Sequence, residues 1–401
     1  MCRPMVEGNK RIALFIGTLT GGGAERVVSR LTHILSKEYD VWVFLIDGRN
    51  QAYKCSCPVV DIGGKTGSFR KRAINSCLNL RKYIKEYKID SVISFLPAAN
   101  VCNILFAWNA KRIISIRSCY CKEVVPYLDD GREKEYKKQI LLQKTIYKLA
   151  DAIVAVSKTQ ANLLVSEDGI KKEKVFVIEN PYDIEHIKSL SEDKIEKGLQ
   201  EFTKSHDVTI AVGRITYQKN YPLMLKLFSE LVKINPKSGL LILGTGDIQG
   251  EIEKLIVEYG INNNVRFAGY VENPFAYMSK CKAYISTSRY EGFPNAMVEA
   301  MICGLPVIAT DCYSGPRDIL DCTNEKIEMN YKEDSKKCGV LLPNDILNNY
   351  DTMLEYIGIW KKIITEKEYS KMYEEKGYER IKYFNDMACL SKWSTLFETV
   401  I

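Results

Sequence analysis

Short apolar runs recur along the chain, each followed by a longer stretch in which apolar residues return every three or four positions. Residues 11–16, 41–46, 91–95, 113–116, 152–156 and 175–178 make a first series of such runs. Residues 209–212, 240–243, 265–268, 283–286 and 307–309 make a second. The runs are apolar nearly throughout instead of alternating. That predicts strands covered on both faces in parallel sheets, with amphipathic helices as the crossovers. Asn180-Pro181 closes the first series, because proline donates no ladder hydrogen bond. Residues 181–206 are charged and without a strong apolar period, so they read as a connector. The expected fold is α/β: two Rossmann-like domains, 1–180 and 207–384, whose parallel sheets face one another across a cleft.

Composition narrows the class. A chain of 401 residues exceeds one hydrophobic core, and 46% hydrophobic with 27% charged residues excludes disorder. Thirteen cysteines are scattered without CxxC spacing; the close pairs are Cys55/Cys57 and Cys119/Cys121. With His33, His186 and His206 isolated from one another, a zinc site is not expected, and the thiols read as reduced core residues of a cytoplasmic protein. No apolar run approaches the ~18 residues of a membrane span. Ile12 to Leu19 follow a basic start, as in a secretory leader, but Gly21-Gly22-Gly23 interrupts the run. A strand feeding a glycine-rich loop fits better.

Charge is uneven. Residues 1–180 carry 30 Lys and Arg against 18 Asp and Glu; the remainder carries 27 against 32. A basic half suits nucleic acid, anionic membrane or phosphorylated ligands, or is an excess of solvated lysines. Within it, residues 65–88 set Arg70, Lys71, Arg72, Arg81, Lys82, Lys85 and Lys88 around Phe69, Ile74, Leu78 and Ile84. Residues 132–149 set Lys137, Lys138, Lys144 and Lys148 beside Tyr136, Ile140 and Tyr147. Such faces dock on anionic lipid, unless the apolar residues turn to the core.

Three segments carry chemistry. The first strand ends in a loop with Gly21-Gly22-Gly23-Ala24-Glu25-Arg26, whose amides at a helix start favour an anion; the spacing is not the dinucleotide GxGxxG. Gly213-Arg214 follows another strand, with Lys219 five residues on. Two cations there suit a diphosphate leaving group, on which charge grows as the bond breaks. Residues 290–301, YEGFPNAMVEAM, place Glu291 in a loop and Glu299 on the following helix, both aimed at the cleft. Carboxylates are good acceptors for vicinal sugar hydroxyls, and the amides at Phe293 and Asn295, on either side of Pro294, open a helix start toward oxygen ligands. A structural reading exists for each: a tight turn, a surface pair, and glutamates that complement a helix dipole.

In these residues the chain resembles the family 4 retaining glycosyltransferases of the GT-B fold, along essentially its whole length. The 22–26 loop, Gly213-Arg214 with Lys219, and the Glu291/Glu299 pair match in kind and order, as do Gly244-Thr245-Gly246 and Gly269-Tyr270. The resemblance implies that Arg214 and Lys219 bind the diphosphate, Glu299 the ribose and Glu291 the transferred sugar. Gly244, Gly246 and Tyr270 would line the base pocket, Gly22 and Gly23 would meet the donor, and a last helix (385–401) would cross back onto the first domain. Residues 94–96, 115–118, 180–181 and 311–316 resemble bacterial members that build capsular, exopolysaccharide or lipid-linked glycans from UDP-galactose, UDP-GalNAc or related donors. Many relatives have a histidine where Arg117 stands, which makes Arg117 a candidate contact to donor or acceptor. With no Asp-x-Asp pair, neither metal nor other cofactor is expected. The implied partners are a UDP-sugar, a glycan on a lipid diphosphate and an anionic membrane surface at the inner face of the cytoplasmic membrane, with no nucleic acid. Two other readings remain: an inactive partner subunit, and a nicotinamide-dependent dehydrogenase using Asp47 for the ribose.

Overall fold

Each of the apolar runs forms a strand, and two more appear at sheet edges. The computed structural model describes residues 9–118, 133–312, 314–320 and 338–401. The Cys119/Cys121 pair, Arg132, the Tyr136 side chain and Tyr313 lie outside the described residues. The chain divides into two units: one runs to Tyr182 and takes in Phe384–Ile401, the other is Asp183–Tyr383.

The first unit holds β1 (Arg11–Ile16), β2 (Asp40–Leu45), β3 (Val59–Asp61), β4 (Ser91–Phe95), β5 (Lys111–Ile116), β6 (Ala152–Ala155) and β7 (Val175–Val177). They form one parallel sheet in the order β3-β2-β1-β4-β5-β6-β7. The second unit holds β8 (Asp207–Val212), β9 (Ser238–Leu243), β10 (Val265–Gly269), β11 (Ala283–Ser286), β12 (Val307–Thr310) and β13 (Val340–Leu342), in the order β10-β9-β8-β11-β12-β13. Both orders reverse direction beside the first strand of the unit, which is the Rossmann arrangement. Central strands β2, β4, β9 and β11 are buried along their whole length, as runs covered by helices on both faces must be. The edge strands β3 and β13 are only three residues long, too short to show a period.

One expectation is corrected. Residues 181–206 are no bare connector: they fold into helices Ile184–Ser191 and Lys197–Ser205 within the second unit. Ile187, Leu199 and Phe202 are their buried residues. Each helix makes about two turns, so its apolar face rests on one or two residues among charges, below what a period can show. The Asp386–Val400 helix belongs to the first unit, where Leu390, Trp393, Leu396 and Phe397 join the core of β1 and the Gly23–Leu35 helix. Its Phe397 ring meets Tyr39 edge-on at 5.0 Å.

A second correction concerns the basic half. Arg72 is 0% exposed: Nε donates to the Ile46 carbonyl at 3.2 Å, and Nη2 reaches Asp61 and, at 3.5 Å, Asp47. Ile84 and Tyr147 are also core residues. None of the three can face a membrane.

Asp168, buried just beyond the Lys158–Ser166 helix, gives a pH-dependent expectation. Burial pushes its carboxyl up to about 6, against the opposing pull of Lys144. A carboxyl whose pKa is higher folded than unfolded holds its proton more tightly in the fold. Stability is therefore lost as pH rises from about 4 to about 6. Asp168→Asn should raise stability at pH 7.5 by on the order of 1–2 kcal/mol and do almost nothing at pH 4, as read by urea denaturation at both pH values.

Candidate active site

The reversal of strand order in the second unit puts β8 next to β11, with crossovers leaving to opposite sides. The carboxyl ends of such a strand pair frame the crevice where open α/β sheets bind ligands. Gly213-Arg214 and Lys219 follow β8; Glu291 follows β11.

The loop after β8 is latched to the loop after β11. Gly213 has φ +154°, and a Cβ on it would stand 3.2 Å from Lys219 Cε; the missing side chain lets the lysine stem pass. Thr287 Oγ1 donates to the carbonyls of Lys219 and Asn220 at 3.1 and 3.0 Å. Gln218 Nε2 donates to the Tyr290 carbonyl at 2.9 Å, and the Arg289 amide donates to the Gln218 carbonyl at 2.8 Å.

At the centre of the latch, Lys219 Nζ donates to Glu291 Oε1 at 2.5 Å, and Ser288 Oγ donates to the same oxygen at 2.8 Å. Glu291 is 8% exposed and Glu299 1%. Neither carboxylate is therefore an open cleft lining, as the sequence suggested. A carboxylate this buried is tolerated only with charge or hydrogen-bond partners, and Lys219 with Ser288 supply them to Glu291. The buried phenol of Tyr284 on β11 is pushed up by burial first and by Glu291 second, with Glu299 adding to it.

Glu299 sits one turn into the Asn295–Ile302 helix, which begins after Pro294 without a side-chain cap. The Met297 amide in its first turn is met by the Pro294 carbonyl at 3.1 Å, and the helix dipole puts its positive end here, which favours an anion. Phe293 and Pro294 have buried side chains, so only their backbone is on offer. Ser314 Oγ donates to the Gly292 carbonyl at 3.2 Å, and Thr310 Oγ1 to the Ser288 carbonyl at 2.7 Å, so the loop after β12 braces the Glu291 loop. Arg214 is exposed, and its guanidinium has no ion pair among the described residues. Tyr270, directly after β10, is 82% exposed.

Gly244 and Gly246 have a reason of their own to be glycine. A Cβ on Gly244 would lie 2.0 Å from the Gly213 carbonyl oxygen, and one on Gly246 2.1 Å from that of Ile215. Close packing of the β9 loop on the β8 loop demands both, whatever ligand binds.

Gly22, Gly23 and Arg117 lie in the first unit. Gly22 caps the Gly23–Leu35 helix, but the Glu25 carboxylate packs against it, 2.2 Å from where a Cβ would stand. An anion approaching these amides meets a carboxylate there, which corrects the picture of an open anion loop. Arg117 follows β5, donates through Nη1 to Asn180 Oδ1 and stacks 5.0 Å over the Phe95 ring. Burial pushes its guanidinium down to about 10, still a cation at neutral pH. Asp47 is gripped by Arg49, whose Nε donates at 2.9 Å, and by Arg72. The Arg49 hydrogen bond is the largest influence in holding its carboxyl at about 2. A carboxylate so occupied is not the open ribose acceptor that the dehydrogenase reading requires.

The sequence reading passed over Gln218, Thr287 and Ser288. The Ser286-Thr287-Ser288 run, at the end of an apolar strand and just before Glu291, is the signal that could have found two of them.

Residues 21–186 match the family model for Glycosyltransferase Family 4, and residues 192–327 that for Glycosyl transferases group 1. An uncharacterized glycosyltransferase of Methanocaldococcus jannaschii is 31% identical over 348 residues, 80% of this chain and 82% of that one. A Campylobacter jejuni protein is 26% identical over 384 residues, 94% of this chain and 96% of its own. It is named as the N-acetylgalactosamine-N,N'-diacetylbacillosaminyl-diphospho-undecaprenol 4-alpha-N-acetylgalactosaminyltransferase. Among solved structures, Anabaena HepE in complex with UDP and glucose superposes with a TM-score of 0.73 at 16% identity, over 97% of this chain and 100% of that one. With two parallel-sheet Rossmann-like units and these matches, the chain belongs to the family 4 glycosyltransferases of the GT-B fold.

Proposed function

We propose that this protein transfers a hexose or N-acetylhexosamine from a UDP-sugar to a glycan on a lipid diphosphate, retaining the anomeric configuration and using no metal, in the assembly of surface polysaccharide or oligosaccharide at the inner face of the cytoplasmic membrane. The observation that carries the reading is the Lys219–Glu291 pair at 2.5 Å, set where β8 and β11 part, with Arg214 on the same loop as Lys219 and a helix without a side-chain cap starting at Asn295. The donor assignment is supported by UDP in the HepE structure, and the acceptor by the diphospho-undecaprenol substrate in the name of the Campylobacter relative.

Each group has a role in this reading. As the glycosidic bond breaks, negative charge collects on the departing diphosphate and positive charge on the sugar ring. Arg214, Lys219 and the amides at Asn295 meet the first; Glu291 faces the second. Glu299 accepts from the ribose hydroxyls, while Gly244, Gly246 and Tyr270 border the base. In the first unit, Arg117 and the amides of Gly22 and Gly23 are contacts to donor or acceptor once Glu25 gives way. Same-face substitution without a protein nucleophile follows the family likeness.

A panel of UDP-, GDP- and ADP-sugars, read by thermal stabilisation, tests the donor. At 100 times its dissociation constant the true one adds about 2.7 kcal/mol. Transfer to a lipid-diphosphate glycan, with the product's anomeric configuration read by NMR, tests the rest. Activity is expected to survive EDTA; complete loss restored by Mg²⁺ or Mn²⁺ would overturn the metal-independent mechanism. UDP-sugar binding with no transfer to any glycan would favour the partner-subunit reading.

A further inference from the structure

The Phe69–Tyr87 helix lies on the first sheet with Arg72, Ser76, Leu80 and Ile84 buried. Its opposite side is unusual for a solvated face. Ile74 and Leu78, one turn apart, are 63% and 70% exposed. Around them stand Arg70, Lys71, Arg81, Lys82 and Lys85, all exposed. At 3.6 residues per turn, these seven positions fall within an arc of roughly 120°. No acidic residue shares that arc; Glu86, the helix's one acid, lies beyond its edge. None of the five cations has an ion pair among the described residues. Clustered like charges repel one another, and two aliphatic side chains in water gain nothing. An anionic surface with an apolar interior relieves both.

We propose that this face docks the protein on an anionic lipid bilayer, with the five cations at the headgroups and Ile74 and Leu78 inserted between them. The helix also has the right end at the right place. Its first residue, Phe69, lies with its ring 3.4 Å from where a side chain on Gly17 would start. Gly17 directly follows β1 and opens the glycine loop, so the docking face begins beside the carboxyl edge of the sheet. A glycan anchored in the bilayer by a lipid diphosphate is thereby held near that edge. The proposal takes its purpose from the lipid-linked acceptor, but its physics stands without that reading. Separate assays for binding and transfer keep the two distinguishable.

The test is co-sedimentation of the full chain with phosphatidylcholine vesicles, with and without phosphatidylglycerol, at low and high salt. Binding is expected only with the anionic lipid and should fall with salt. Arg81→Glu with Lys82→Glu should lower the partition at least ~10-fold. Ile74→Ser with Leu78→Ser should lower it too, without changing the thermal midpoint or transfer to a detergent-free, water-soluble acceptor. The proposal is overturned by absence of binding at low salt, or by binding that neither double variant alters. A concentration-dependent dimer that Ile74→Ser with Leu78→Ser dissolves would also overturn it, by assigning the face to a second copy of the chain.

Discussion

Lys219→Ala is expected to lower sugar transfer by at least ~10²-fold, the scale of losing one preorganised charge at a site where charge develops. Lys219 is held by the carbonyl bonds of its own loop to Thr287 and by its ion pair to Glu291, so its ammonium needs no reorganisation when a diphosphate departs. Arg214→Ala should act in the same direction, and wild-type activity in either variant would remove the diphosphate assignment. The two glutamates should separate. Glu299→Ala should chiefly raise the Kd for UDP, whereas Glu291→Ala should chiefly lower kcat. Glu291→Gln is the informative companion, because the amide keeps an oxygen for Ser288 and Lys219 while losing the charge proposed to face the sugar. Loss of kcat in Glu291→Gln with an unchanged thermal midpoint would assign the effect to charge and not to packing.

Arg72→Ala is expected to destabilise the first unit by about 3 kcal/mol, the cost of breaking a buried pair from one side. The arginine is fully enclosed, and its removal takes the hydrogen bond from the Ile46 carbonyl and leaves Asp61 and Asp47 facing each other across a cavity. Asp61 is one-third exposed and accepts amides from Gly48 and Gly63, so part of its charge is met without Arg72. The neighbouring exposed cations supply the contrast: Arg70→Ala and Lys71→Ala should each stay within about 0.5 kcal/mol. Equal effects of all three in chemical denaturation would contradict the burial seen here.

Much of the molecule was legible before any coordinates. Strands such as β1 and β9 are apolar after their first residue because helices cover both their faces, and that two-sided burial leaves its mark residue by residue. The loops after β1, β8 and β11 stood out for a different reason: glycine or charge follows an apolar strand, as at Gly17, Gly213-Arg214 and Glu291. The 181–206 helices were not, since two turns amid charge give no period. Nor were the edge strands Val59–Asp61 and Val340–Leu342, three residues each.

The sequence by itself determined the alternation of strand and helix, the two-unit plan, and which charged residues stand at the carboxyl ends of strands. Only the tertiary structure decided how those residues are employed. Arg70, Lys71 and Arg72 are adjacent and chemically alike, yet a helix turns successive side chains by about 100°, so one is entombed against Asp61 while its neighbours face water. Lys219 and Glu291 stand 72 positions apart, and only the strand order that sets β8 beside β11 brings them to 2.5 Å. Local sequence fixes periodicity and chemistry because both act over a few residues. Pairing across a sheet is a property of the whole topology, and it is there that a cation becomes either part of the core or part of the site.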